Sequence, residues 1–137
     1  MTDYGIPVTL STTFADAVAR TRAALAEQGF GVLTEIDVQA TMLAKLGAHL
    51  RPYLILGACN PPLAHRALTI APSIGLLLPC NVVVREVEDG QVLVEAMDPD
   101  MMVMASGETR LAPVAVEARA LLATALANLA DSSVGVG

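Results

Sequence analysis

Aromatic side chains are scarce in this chain, at 3% of its 137 residues and with no tryptophan, although 54% of the residues are hydrophobic. Large rings are therefore unavailable as core fillers, and the interior must be assembled from Ala, Val, Leu and Met. Positive charge is scarce too, with eight Lys and Arg against fourteen Asp and Glu and a net charge of −6. Nucleic acid and anionic membrane both require a basic footprint, so neither is expected as a partner. Long clean apolar runs are missing. The longest, Ile70 to Val84, is interrupted by Pro72, Ser73, Pro79 and Asn81 and falls short of the roughly 20 residues that spanning requires. The start, Met1-Thr2-Asp3-Tyr4, has an acid where a secretory signal is basic, which makes the cytoplasm the expected location. In that reducing compartment the two cysteines are expected to be free thiols. No phosphate-cradling glycine loop, nucleophile elbow or metal-ligand spacing is present, so no catalytic constellation is recognised and nothing in the residues requires an enzyme.

What is present reads as one domain over residues 1–131, followed by a flexible tail at 132–137. Ile6 to Leu10 is strand-like and runs into Ser11-Thr12-Thr13, hydroxyl residues suited to capping a helix. That helix carries Phe14, Ala17, Val18, Thr21, Ala24 and Leu25 on one face and stops at Gly29. Phe30 to Ile36 reads as a strand, and Asp37 caps a helix with Val38, Met42, Leu43 and Leu46. Arg51 to Cys59 is an apolar strand ending at Asn60, which caps a short helix opened by Pro61 and Pro62. A strand over Leu76 to Val87, bent at Pro79, leads to Asp89-Gly90, a strong hairpin signal. A two-residue loop there pairs Val87 with Val92, Arg85 with Val94 and Val83 with Ala96, and makes that side the core face. Asp98-Pro99-Asp100 ends the strand, a Met-rich linker follows, and a long Ala- and Leu-rich helix begins near Pro113. This order predicts an α+β fold: an antiparallel or mixed sheet with helices packed on one face, plus short extra helices. The apolar fraction exceeds the roughly 45–50% of average soluble chains, and a homodimer interface is the simplest place to hide the surplus.

Both cysteines precede asparagine and sit beside proline, as Cys59-Asn60-Pro61-Pro62 and Leu78-Pro79-Cys80-Asn81. Proline donates no hydrogen bond and asparagine caps neighbouring amides, so the thiols fall where ladder bonding is interrupted and a ligand can approach. Candidate ligand-binding residues are Cys59, Asn60, Cys80, Asn81, His65 and Arg85. Each has a plainer explanation: buried small hydrophobes for the thiols, a cap for Asn60, a bulge support for Asn81, a solvated helix position for His65 and a rim ion pair with Glu95 or Glu86 for Arg85. His49, Cys59, His65 and Cys80 make a conceivable zinc set but contain no close chelating pair, so no metal is expected. Met97, Met101, Met102 and Met104 suit a cuprous ion, yet adaptable packing explains them equally.

The stretches Ile55-Leu56-Gly57-Ala58-Cys59-Asn60-Pro61-Pro62-Leu63-Ala64 and Gly75-Leu76-Leu77-Leu78-Pro79-Cys80-Asn81-Val82-Val83-Val84 resemble the domain-of-unknown-function 302 family. Phe14 to Val18, Gly29 to Val32, Ile36 to Thr41 and Asp98-Pro99 extend the resemblance over most of residues 5–130. It implies a β-α-β(4)-α domain, similar to TATA-binding-protein folds in architecture only, with dimers and no established reaction or cofactor. Three readings follow. The first is a homodimer binding a small molecule near the two Cys-Asn segments. The second is a thiol-dependent redox or sulfur-handling protein using Cys59 and Cys80. The third is a structural interaction module without a pocket.

Overall fold

Capping residues set the helix starts in the computed structural model, which describes the backbone of residues 2–135 and the side chains as far as residue 130. Strand β1 (Gly5–Ser11) leads to α1 (Phe14–Glu27), where Thr13 Oγ1 accepts from the Asp16 amide at 3.2 Å and Thr12 donates to the Asp16 carboxylate at 2.6 Å. That hydroxyl, with the Arg20 guanidinium, holds Asp16 below the usual carboxylate range. Gly29, at φ +82°, ends the turn in a left-handed conformation that few other residues adopt without strain. Strand β2 (Gly31–Asp37) feeds α2 (Val38–Leu46), capped by Asp37, which accepts from the Ala40 amide at 2.9 Å. Next come β3 (Tyr53–Cys59), α3 (Pro61–Ile70), a 3-10 turn over Pro72–Leu77, β4 (Cys80–Glu88) and β5 (Gln91–Met97). Helix α4 (Asp100–Ser106), a 3-10 turn at Thr109–Leu111 and α5 (Ala112–Gly135) complete the chain. Of the tail expected at 132–137, the backbone of residues 132–135 continues α5, and residues 136 and 137 lie outside the described residues.

The five strands form one antiparallel sheet in the order β1-β5-β4-β3-β2. Helices α1 and α5 cover one face, on which Leu10, Leu56, Val82, Val84, Val92 and Val94 are completely buried. The architecture is therefore α+β with helices packed on a sheet. Three local expectations need correction. The hairpin pairs Glu88 with Gln91 but then bulges, so Glu86 faces Val92, Val84 faces Val94 and Val82 faces Ala96. An unpaired Val87 moves every residue before it in β4 to the face opposite the expected one, so Val82 and Val84 enter the core while Val83 and Arg85 lie on the uncovered face. The second correction concerns β4, which starts only at Cys80: the preceding residues form the 3-10 turn and a cis Leu78–Pro79 peptide. The third is the Met-rich linker, which is α4, closed by Gly107 at φ +71°.

The expectation that no stretch is long and apolar enough to span a bilayer needs correction: Thr109–Ala130, the second 3-10 turn with most of α5, passes by length and composition. Here Val114, Ala115, Ala118, Leu122, Ala125, Leu126 and Leu129 form a buried stripe against the sheet, α1, α3 and α4. On its outer side Glu117 pairs with Arg66 at 2.7 Å and Arg119 with Asp98 at 3.0 Å. The hydropathy is thus that of a core helix.

Two hydrophobic clusters result. The larger joins the sheet to α1 and the second half of α5. The smaller gathers Leu63, Ala67, Ile74, Met102, Leu111, Val114, Ala115 and Ala118 from α3, α4, the two 3-10 turns and the first half of α5. With so few aromatic rings, short side chains must close the seam between them.

Candidate functional site

The seam is not fully closed. A cavity of about 290 Å³ lies between the two clusters, walled by Phe30, Ala58 and both cysteines on the sheet side. Opposite stand Leu63 and Ala67 of α3, Met102 of α4, and Val114 and Ala118 of α5. Small alanines at three of these places leave the space that larger residues would fill.

Two interruptions in the sheet bring the cysteines to this wall. On β3, Cys59 is the last strand residue because Asn60 starts α3: its Oδ1 accepts from the Leu63 amide at 3.4 Å, and the prolines behind it have no amide to satisfy. The other end of the Asn60 amide donates to the Gln28 carbonyl at 3.3 Å, tying the end of α1 to the start of α3. On β4, Cys80 is the first strand residue and pairs with Ala58, so the two thiols sit one register step apart on neighbouring strands. Gly57 makes the approach of Pro79 possible, since a Cβ there would stand 2.8 Å from the proline Cγ and collide with the Thr34 side chain.

Both cysteines are free; Cys59 is half-buried and Cys80 is 7% exposed. Burial, and to a lesser degree the neighbouring Cys59, push the Cys80 thiol from its ordinary 9.0 to about 11. It is therefore a proton-bearing, apolar-seated thiol at neutral pH. Among the lining side chains only Asn60 offers further polarity, with one N–H and one lone pair left after its two structural bonds.

The remaining candidates lie elsewhere. Asn81 is exposed and, by strand alternation, opens onto a separate groove of about 510 Å³ with Leu76, Met97, Met101 and Met104. His65 is exposed on the outer side of α3, beside Arg66, Thr69 and Arg110. Both of those arginines already have carboxylate partners at 2.7 Å, Glu117 and Glu108. Arg85 lies on the uncovered sheet face, 3.9 Å from Glu95. The geometry thus gathers Cys59, Asn60 and Cys80 and leaves Asn81, His65 and Arg85 apart. Among the described residues no three His, Cys, Asp or Glu side chains are grouped to hold a metal. Sequence reasoning did not find Phe30, Leu63, Ala67, Met102, Val114 and Ala118, whose convergence is set by tertiary packing. The one available signal is Met102, inside a methionine run that suits packing and a soft metal equally.

Comparison with known proteins follows the same pattern. The family described as "Domain of unknown function DUF302" matches residues 6–129. No curated protein matches. Among solved structures, a crystal structure of an uncharacterized conserved DUF302 protein from Bacillus stearothermophilus superposes with a TM-score of 0.83 at 30% identity, covering 91% of this chain and 97% of that one. The chain belongs to the DUF302 family.

Proposed function

We propose that this protein is a cytoplasmic homodimer that binds a small, largely apolar molecule in the cavity beside Cys59 and Cys80. The observation that carries the reading is the cavity itself, an apolar space on the seam of two clusters with a few convergent polar groups at one wall. Its volume of about 290 Å³ is roughly twice the ~150 Å³ that accommodates benzene. A short alkyl-aromatic or bicyclic molecule is the matching size class, oriented by the Asn60 amide. The free thiols support the cytoplasmic assignment.

Pairing of two chains is supported by apolar side chains that one chain leaves uncovered. Leu33 is 69% exposed and Leu46 75%, and no residue of α2 is buried, although its sequence carries an apolar stripe. Light scattering that returns a monomer mass at micromolar concentration would refute the pairing.

Binding is tested by thermal shift with ethylbenzene, indole and hexanol. A saturating probe at a hundred times its dissociation constant should stabilise the fold by about 2.7 kcal/mol. No shift from any probe would favour an interaction module that uses no pocket.

A further inference from the structure

We propose that the sheet face opposite α1 and α5 is the surface through which two copies of this chain pair, stacked sheet on sheet about a two-fold axis that sets each Arg85 against the partner's Glu95. This names the interface of the homodimer proposed above and rests on that reading.

The strand sequences are the first support. An antiparallel sheet that meets water on one side alternates apolar and polar residues, whereas a strand covered on both sides reads as a continuous apolar run. The three middle strands carry such runs: Leu54-Ile55-Leu56 in β3, Val82-Val83-Val84 in β4 and Val92-Leu93-Val94 in β5. The outer members of each run are buried. The middle members, Ile55, Val83 and Leu93, point to the other face and are only half-buried in the single chain. The edge strands differ, since Thr9 and Ser11 of β1 and Thr34 of β2 share this face and are exposed. An apolar middle inside a polar rim is the anatomy of a protein interface.

The second support is the register. Cross-strand pairing lines up Ile36, Ile55, Val83 and Glu95 in one row and Tyr53, Arg85 and Leu93 in the next. Strand β4 is the third of five, so both rows cross the centre of the face. Five strands about 4.8 Å apart, each at least seven residues long at about 3.4 Å per residue, span roughly 570 Å² of flat area. Side-chain relief raises the accessible area above that, toward the roughly 800 Å² per partner of a standard interface.

Charge is the third support, and it selects a second copy as the occupant. The two rows hold one cation and one anion, Arg85 and Glu95, 3.9 Å apart on adjacent strands. A two-fold axis that lies between the stacked sheets and crosses this pair exchanges the two positions. Each arginine then meets the partner's Glu95, and the four charges close a neutral network. Nucleic acid or anionic lipid would find no basic surface here on a chain of net charge −6.

The test uses the full chain as wild type, Arg85→Glu and Glu95→Arg, with mass and dissociation constant read by light scattering and analytical ultracentrifugation. Wild type should be a dimer. Each single variant sets like charges against each other twice across the interface and should weaken pairing about a hundredfold or more. Mixing the two variants should restore a dimer, one chain of each, near wild-type affinity, because an acidic face then meets a basic one. Neither variant regains its internal Arg85–Glu95 pair on mixing, so rescue reports the contact between chains, and urea unfolding confirms that each variant is folded beforehand. If wild type is a dimer but both variants pair as tightly, or mixing rescues nothing, the face is wrong while the homodimer reading stands. A monomeric wild type would sink both.

Discussion

Replacing Ala67 by leucine should stabilise this protein and close its site in a single step. Ala67 is 1% exposed on α3 and lines the cavity. With its other surroundings packed, the added carbons have the cavity to enter. Three carbons taken from water contribute about 2.4 kcal/mol at ~0.8 each, and fixing a leucine rotamer costs about 0.5–1 kcal/mol. The net gain is about 1.5 kcal/mol, or a melting-point rise of roughly 6 °C for a domain of this size. Were the space already filled, the same substitution would overpack the core and cost about 1–3 kcal/mol, so the sign of the effect decides the matter. Urea unfolding and calorimetry give the stability, and ethylbenzene titration gives the site. A destabilised variant that still binds the probe with wild-type affinity would refute the reasoning.

Other predictions bear on how the cavity wall is built. Gly57→Ala should cost about 1–3 kcal/mol in urea unfolding, because its Cβ meets the Pro79 ring at 2.8 Å and the Thr34 side chain. Asn60→Ala should cost about 1–2 kcal/mol through the lost helix cap, and Asn60→Asp should fall between, keeping the acceptor to Leu63 but not the donor to Gln28. Stability should also decline between pH 9.0 and about 11 through Cys80. Below that window the thiol is protonated folded and unfolded alike, whereas within it only the unfolded chain gives up the proton. The cumulative loss is about 3 kcal/mol at the upper end. A Cys80→Ala chain should lack this component when both are unfolded in urea across the same range.

Much of the fold could be read from short-range chemistry. Thr13, Asp37 and Asn60 cap the helices that their side chains suggested, and Gly29 follows the end of the first, because caps depend on only a few neighbouring residues. The hairpin at Asp89-Gly90 was legible as well, but not its register. One extra residue, Val87, exchanges the two faces of β4, and no local pattern marks it when Val82, Val83 and Val84 are chemically alike. Helix α4 hid behind Asp98-Pro99-Asp100, a strand breaker that also starts a helix: the Asp98 carboxylate accepts from the Asp100 amide at 3.0 Å.

The candidate site divides in the same way. Proline and asparagine mark Cys59 and Cys80 as a strand end and a strand start, both still paired in the ladder, and both residues line one cavity. Asn81 left that set because adjacent strand residues face opposite sides. His65 and Arg85 left it because helix and sheet rotation turn them toward solvent and toward Glu95. The opposite wall required contact between residues as distant as Phe30 and Ala118, which no spacing rule reveals.

Methyl NMR of the reduced protein during an ethylbenzene titration tests the central claim most directly. Intermolecular cross-peaks should reach the Met102, Leu63 and Val114 methyls and vanish in Ala67→Leu. Cross-peaks to Leu76 and Met104 of the neighbouring groove instead, or none at saturation, would contradict the account.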